Sequence, residues 1–263
     1  MNANEARCGD GYIPRGLLLQ WHITNRCNLR CAHCYQETYQ GEEHELEDLL
    51  PILDQYQQLL SSWRKSGARD GVKGHVTVTG GEPFVRRDFI GLLHEFALRR
   101  GEFSFGILTN GTLINEDTVA CLAELRPRFI QVSMEGGREV HDKIRGPGNY
   151  DDVVVAIRRL LRAKLPTIIS FTAHRENFRQ FPEVARLGRA LGVDRVWTDR
   201  LIPSGAGKAI QGLVMSPAET REYCRVITTA REEASRSLCH HTEIAAHRAL
   251  QFLTSAPSDL FWI

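Results

Sequence analysis

The sequence predicts an α/β fold, a partial TIM-like (β/α)6 barrel of parallel strands with outer helices. Three observations predict it. Strand-like and helical segments alternate from Leu17 to beyond Ile202, and such alternation goes with parallel pairing and helices on the faces of the sheet. Right-handed crossovers curl a sheet of this kind towards a barrel. Segments bearing Cys, Gly-Gly and Asn follow successive strands, the end at which barrels and open α/β sheets alike bind ligands. An open doubly wound sheet fits the same order of elements.

Residues 1–16 read as a loose tail. Leu17–Thr24 reads as a mostly buried strand, and a cysteine-bearing loop follows. Leu46–Trp63 carries leucines at helical spacing, with a start nearer Pro51, because a first turn tolerates proline. His75–Thr79 alternates as a strand and runs into Gly80-Gly81-Glu82-Pro83, ahead of a helix over Phe89–Leu98. Phe103–Thr109 is a strand ending in Asn110-Gly111, and Glu116–Leu125 a helix. Phe129–Met134 is a strand closed by Glu135-Gly136-Gly137. A loop through His141–Gly146 leads to a helix over Asp152–Leu165, whose arginines form a solvated face. Pro166–Thr172 is strand-like, Gln180–Leu191 helical and Arg195–Ile202 strand-like. Helices over about Ser216–Ser235 and Glu243–Leu253 complete a core domain (17–210) and a helical extension (211–263).

The 263 residues are 42% hydrophobic and 25% charged, ordinary for a globular chain long enough for one continuous core. Lys+Arg 33 against Asp+Glu 32 leaves a formal charge of +1, which excludes the basic excess expected of a nucleic-acid or acidic-membrane binder. There is no apolar run of membrane-spanning length and no signal-peptide core at the N-terminus. A cytoplasmic protein is expected. The seven cysteines, an odd count without a secretory signal, argue against a disulfide framework.

Cys27, Cys31 and Cys34 cluster with the spacing C-x3-C-x2-C. Thiolates select zinc or iron–sulfur clusters. A structural zinc site wants four ligands, commonly two paired knuckles, whereas Cys121, Cys224 and Cys239 stand apart from one another. Three thiolates on one loop suit a cubane cluster with its fourth iron open. Zinc completed by His22, His33 or a distant cysteine is the alternative, and three core thiols the plainest one.

Thr24-Asn25-Arg26-Cys27-Asn28-Leu29-Arg30-Cys31-Ala32-His33-Cys34-Tyr35 resembles the signature of the radical S-adenosylmethionine (radical SAM) superfamily. The resemblance implies that Cys27, Cys31 and Cys34 ligate a 4Fe-4S cluster and that S-adenosyl-L-methionine chelates its open iron. It further implies reductive cleavage to methionine and a 5′-deoxyadenosyl radical that abstracts hydrogen from substrate. His33 holds the position at which the family places an aromatic residue near the adenine. Gly80-Gly81-Glu82-Pro83 resembles the family's methionine-binding motif. Glycines let backbone approach a ligand, and a carboxylate suits an ammonium group. Ser133 and Glu135 resemble the ribose-contacting position after strand four, and Asn110 lies in another stretch familiar from the family. His141–Gly146 also resembles a stretch of the family, a loop that either meets substrate or serves as an anchor, while Ser170–Thr172, Asn177 and Arg200 are weaker candidates for the cofactor pocket.

Within the superfamily the chain looks most like peptide- and protein-modifying maturases. That implies a peptide or protein substrate and an electron donor such as flavodoxin or ferredoxin, with no nucleic-acid or membrane partner. Such relatives usually continue into a cysteine-rich SPASM or twitch region with auxiliary clusters. No such cysteine pattern follows Cys34 here, so a chain cut before that region is one reading. The stretch before Leu17 is also too short for a peptide-leader recognition domain. A haem-pathway or other small-molecule cofactor enzyme is the second functional reading, and a non-catalytic metal- or cluster-binding regulator the third.

Overall fold

The computed structural model describes residues 16–65, 73–236 and 242–246. In chain order they form β1 (Gly16–His22), α1 (Leu46–Lys65), β2 (Lys73–Thr79), α2 (Phe89–Leu98), β3 (Phe103–Thr109) and α3 (Glu116–Leu125). Then come β4 (Phe129–Ser133), α4 (Arg138–Arg145), α5 (Asn149–Arg162), β5 (Thr167–Ala173), α6 (Phe181–Leu191), β6 (Arg195–Arg200), α7 (Pro217–Ser235) and β7 (Glu243–Ala246). The strands lie side by side in chain order, every neighbouring pair parallel. They form a curled half-barrel with helices outside, as expected. No described helix is long and apolar enough to cross a membrane.

The two faces of the sheet differ in chemistry. The outer face carries Val76, Val78, Ile107, Ile130, Val132, Ile169, Phe171 and Val196, all buried beneath the helices. Strand alternation puts the intervening residues on the concave face, and the register aligns Gln20 with Thr77, Leu108 with Gln131 and Ser133 with Ser170. Closed barrels of this class fill their interior with branched apolar layers. This concave face is mixed, with the amides and hydroxyls of Gln20, Thr77, Gln131, Ser133 and Ser170 beside Leu18, Leu108, Phe129, Ile168 and Trp197.

Four expectations need correction. β1 is not mostly buried, because it alternates and Leu18 on its concave side is 60% exposed. α1 starts at Leu46, not near Pro51, and carries that proline inside it on its exposed side. The stretch through His141 is helix α4 rather than loop, and α5 starts at Asn149. Glu243–Ala246 is not helical. It is a seventh strand whose Ile244 and Ala246 are buried on the outer, helix-covered side. The helical reading rested on good helix formers, and a free sheet edge overrode that weak propensity. The rest of that expected helix, the tail before Gly16, Cys8, Cys239 and the apolar C-terminal residues lie outside the described residues.

Candidate functional site

The residues singled out from the sequence meet at the carboxyl end of the sheet, where β1 leads into the cysteine loop. That loop is fixed by main-chain bonds on two sides. On the β2 side, Ile23 N–H donates to Thr79 O (3.0 Å), Gly81 N–H to Thr24 O (2.9 Å) and Glu82 N–H to Arg26 O (2.9 Å). On the far side, Ala32 N–H donates to Ile144 O (2.9 Å), Gly207 N–H to Cys34 O (2.8 Å) and Ala206 N–H to Gln36 O (3.0 Å). Buried Arg86 braces the start of the loop, donating to Ile23 O (3.0 Å) and His44 O (2.7 Å) while Asp88 holds its guanidinium.

Glycines 80 and 81 are dictated by this packing. Gly80 has φ +143°, and a Cβ there would lie 2.3 Å from Thr24 O; one on Gly81 would lie 2.1 Å from Arg26 O. Backbone meets backbone, so any side chain would push the cysteine loop off the sheet. Pro83, buried, opens a short 3-10 turn after them.

Each of the three clustered thiols is half-buried, and two of them have a donor at hand. Cys27 Sγ accepts from Leu29 N–H (3.4 Å) and Asn110 Nδ2 (3.9 Å). Cys31 Sγ accepts from Arg145 Nη1 (3.7 Å), and Cys34 is fixed through its carbonyl, which accepts from Gly207 N–H. Burial pushes the Cys27 and Cys31 thiols up from their ordinary value, so a bound cation's charge is what would deprotonate them. Among the described residues no three His, Cys, Asp or Glu side chains converge on a single metal-ion position. Thiols spaced around one loop and supplied with polar donors fit a larger polynuclear group better than a lone zinc.

Glu82 has no solvent exposure. One carboxylate oxygen accepts from Thr109 Oγ1 (2.8 Å) and Phe84 N–H (3.2 Å), the other from Asn110 N–H (2.7 Å). Burial lifts its carboxyl to about 7 against the pull of these donors. The motif thus ties β2 to β3. Asn110 extends the tie, donating to Asn28 Oδ1 (2.9 Å) within the cysteine loop and accepting from Thr112 N–H (2.9 Å).

Glu135 is the second buried carboxylate, 1% exposed. Its Oε1 faces Arg145 Nη2 (2.6 Å), Arg145 Nε (3.1 Å) and His33 Nε2 (3.2 Å), and its Oε2 accepts from Thr172 N–H (2.8 Å). Burial would raise this carboxyl, but the Arg145 charge and then His33 outweigh it and hold it well below the usual range. Glu135 N–H donates to His141 Nδ1 (3.1 Å), whose Nε2–H then donates to Asn149 Oδ1 (2.7 Å). Burial, then Arg145, lowers the His141 pKa, which suits this neutral tautomer. Asn177 donates to Glu135 O (3.1 Å) and Thr172 O (3.0 Å). Ser133 sits half-buried beside this group, in register with Ser170. Among the described residues three ring nitrogens are buried without a partner, His33 Nδ1 and His174 Nε2 here and His75 Nε2 on β2.

Sequence reasoning missed Arg145, Arg86 and Thr109 as parts of this cluster. Arg145 stood within the His141–Gly146 stretch but was read into a loop. Nothing in the local pattern reveals that its guanidinium lies between Glu135 and Cys31.

The family profile described as the radical SAM superfamily matches residues 21–188. The chain is 29% identical over 208 residues to Fe-coproporphyrin III synthase of Methanosarcina barkeri, covering 79% of this chain and 49% of that one. It is 31% identical over 195 residues to mycofactocin maturase MftC of Mycolicibacterium smegmatis, covering 73% and 46%. The crystal structure of Streptococcus suis SuiB bound to precursor peptide SuiA superposes with a TM-score of 0.71 at 18% identity, over 88% of this chain and 49% of that one. The chain therefore spans about half the length of the curated relatives it matches.

Proposed function

The chain belongs to the radical SAM superfamily, and on that premise we propose that Cys27, Cys31 and Cys34 ligate a 4Fe-4S cluster whose fourth iron is left to S-adenosylmethionine. The observation that carries this reading is the loop itself. Two of its three half-buried thiols carry polar donors from the chain, and the loop is locked to β2 on one side and to α4 on the other. When bound, cluster and S-adenosylmethionine supply one-electron reduction and hydrogen-atom abstraction.

The chain's own residues do the positioning. Gly80 to Pro83 and Asn110 hold the cysteine loop against β2 and β3, and we assign the methionine end of the cofactor to that side. Ser133 and the loop around Glu135 take the ribose side, with His33 near the adenine. The unpartnered His33 Nδ1 supports that assignment, since a buried acceptor left unpaired costs about 1–3 kcal/mol.

We read the substrate as a peptide or protein side chain, and the source of the cluster's electron as a flavodoxin- or ferredoxin-like donor in the cytoplasm. Two features support this over a haem-pathway substrate, which relatives such as the coproporphyrin enzyme would suggest. The concave face carries neutral hydrogen-bonding groups such as Gln20, Thr77, Gln131, Ser133 and Ser170, which suit amides. Arg195, also on that face, is already paired with Glu243 (2.7 Å), so it is not free for the carboxylates of a tetrapyrrole.

The test is anaerobic cluster reconstitution, with electron paramagnetic resonance of the reduced protein before and after S-adenosylmethionine and an assay for 5′-deoxyadenosine. The expected result is a signal perturbed by the cofactor, with product lost and iron content reduced in Cys31→Ala. Zinc uptake with neither cluster signal nor 5′-deoxyadenosine overturns the enzyme reading. A cluster indifferent to S-adenosylmethionine supports the regulatory one.

A further inference from the structure

We propose that the buried Arg145–Glu135 ion pair sets the reduction potential of the cluster held by the cysteine loop, Arg145 raising it and Glu135 lowering it. The inference rests on the cluster reading above and adds a role for two residues of this chain. Its basis is the order in which the charges are stacked. Arg145 Nη1 lies 3.7 Å from Cys31 Sγ, while Nη2 and Nε of the same guanidinium lie 2.6 and 3.1 Å from Glu135 Oε1. The cation touches the sulfur and the anion stands behind the cation. Side-chain exposures of 9% and 1% leave little water to screen either charge.

The arrangement is rigid. Arg145 is the last residue of α4, and its neighbour Ile144 accepts a main-chain bond from Ala32, the neighbour of Cys31, at 2.9 Å. Sulfur and guanidinium are thus registered by backbone on both sides rather than by one long side chain. Glu135 is fixed three ways: Thr172 N–H holds its free oxygen (2.8 Å), His141 of α4 its N–H (3.1 Å) and Asn177 its carbonyl (3.1 Å).

Reduction adds one negative charge to a cluster, and hydrogen bonds to its sulfurs, net charge and solvent exposure set its potential. A donor cation in contact with a ligating sulfur stabilises the reduced form; a carboxylate behind it withdraws part of that stabilisation. If the pair were structural alone, losing either partner would loosen the same contact, with no reason for the potential to move in opposite directions.

That difference in sign is the experiment. Wild type, Arg145→Gln, Arg145→Lys and Glu135→Gln are reconstituted anaerobically, their iron and sulfide per chain measured, and their midpoint potentials found by redox titration followed by electron paramagnetic resonance without S-adenosylmethionine. Arg145→Gln is expected to lower the potential by about 59 mV or more, a tenfold change in the reduced-to-oxidised ratio for a one-electron couple. Glu135→Gln is expected to raise it, and Arg145→Lys, which keeps the charge, to stay nearer wild type. If Arg145→Gln does not load iron, Glu135→Gln decides: a raised potential beside an Arg145→Lys that stays near wild type supports the inference, and an unchanged or lowered one overturns it. Fully loaded Arg145→Gln and Glu135→Gln whose potentials coincide with wild type, or move the same way, overturn the inference while leaving the cluster reading intact. A wild type that forms no cluster defeats the cluster reading itself, and this inference with it.

Discussion

Glu82 is a carboxyl whose proton affinity folding increases. Burial lifts it from 4.5 to about 7, so the folded chain holds that proton more tightly than the unfolded one. Its contribution to stability is complete below pH 4.5 and is lost as pH rises through about 7. The metal-free wild type is therefore expected to lose stability relative to Glu82→Gln as pH rises from about 5 to about 8, by on the order of 3 kcal/mol. Paired urea titrations check it, and a pH-independent difference would show that Glu82 does not titrate in that window. Gly81→Ala brings a Cβ within 2.1 Å of Arg26 O, whereas Gly101→Ala meets nothing within 4 Å. The first is expected to cost about 2–3 kcal/mol and to impair iron loading, the second to leave both close to wild type; chemical denaturation and iron content distinguish them. The motif Gly80-Gly81-Glu82-Pro83 was legible in the sequence, but the immediate reason for its glycines was not. A pattern shows that backbone must come close to something, and only the fold shows that the something is residues 24–26.

At the scale of elements, α1 contains a proline that its neighbours tolerate without needing it. Pro51 lies on the exposed side of a helix that starts at Leu46, so its ring withholds one main-chain bond and crowds the preceding turn. Pro51→Ala is expected to stabilise the protein by about 1–2 kcal/mol, the helical gain exceeding the lost restriction of the unfolded chain. A rise in urea midpoint at unchanged slope checks it. The longer segments were readable because their periodicity is strong: α2, β3 and α3 have the bounds that the sequence suggests. The two-turn α4 was not, since it offers only His141 and Ile144 to the interior and hides between Gly137 and Gly146. β7 was misread because Glu243, Ala245 and Ala246 favour helices locally, while the edge of β6 offers a ladder that no local pattern announces.

For the whole molecule, the sequence conveyed the order of strands and the end at which ligands gather, because alternation and crossover handedness leave few arrangements. It did not convey the contrast between an apolar outside and a mixed inside with many hydrogen-bonding groups, which depends on register. If the cysteine loop is the cofactor's seat, hydrogen exchange on loading should slow first at residues 23–36, 80–86, 109–112 and 134–137. Amides of α1 and α7 should gain only the uniform protection that any tight ligand confers. Uniform slowing throughout would place the ligand elsewhere. Among the described residues, β1 and β7 are the two margins of the sheet and do not pair with each other. A closed barrel has its bore fixed by strand number and shear; a sheet with two margins keeps every ladder bond while its outer strands twist apart or together.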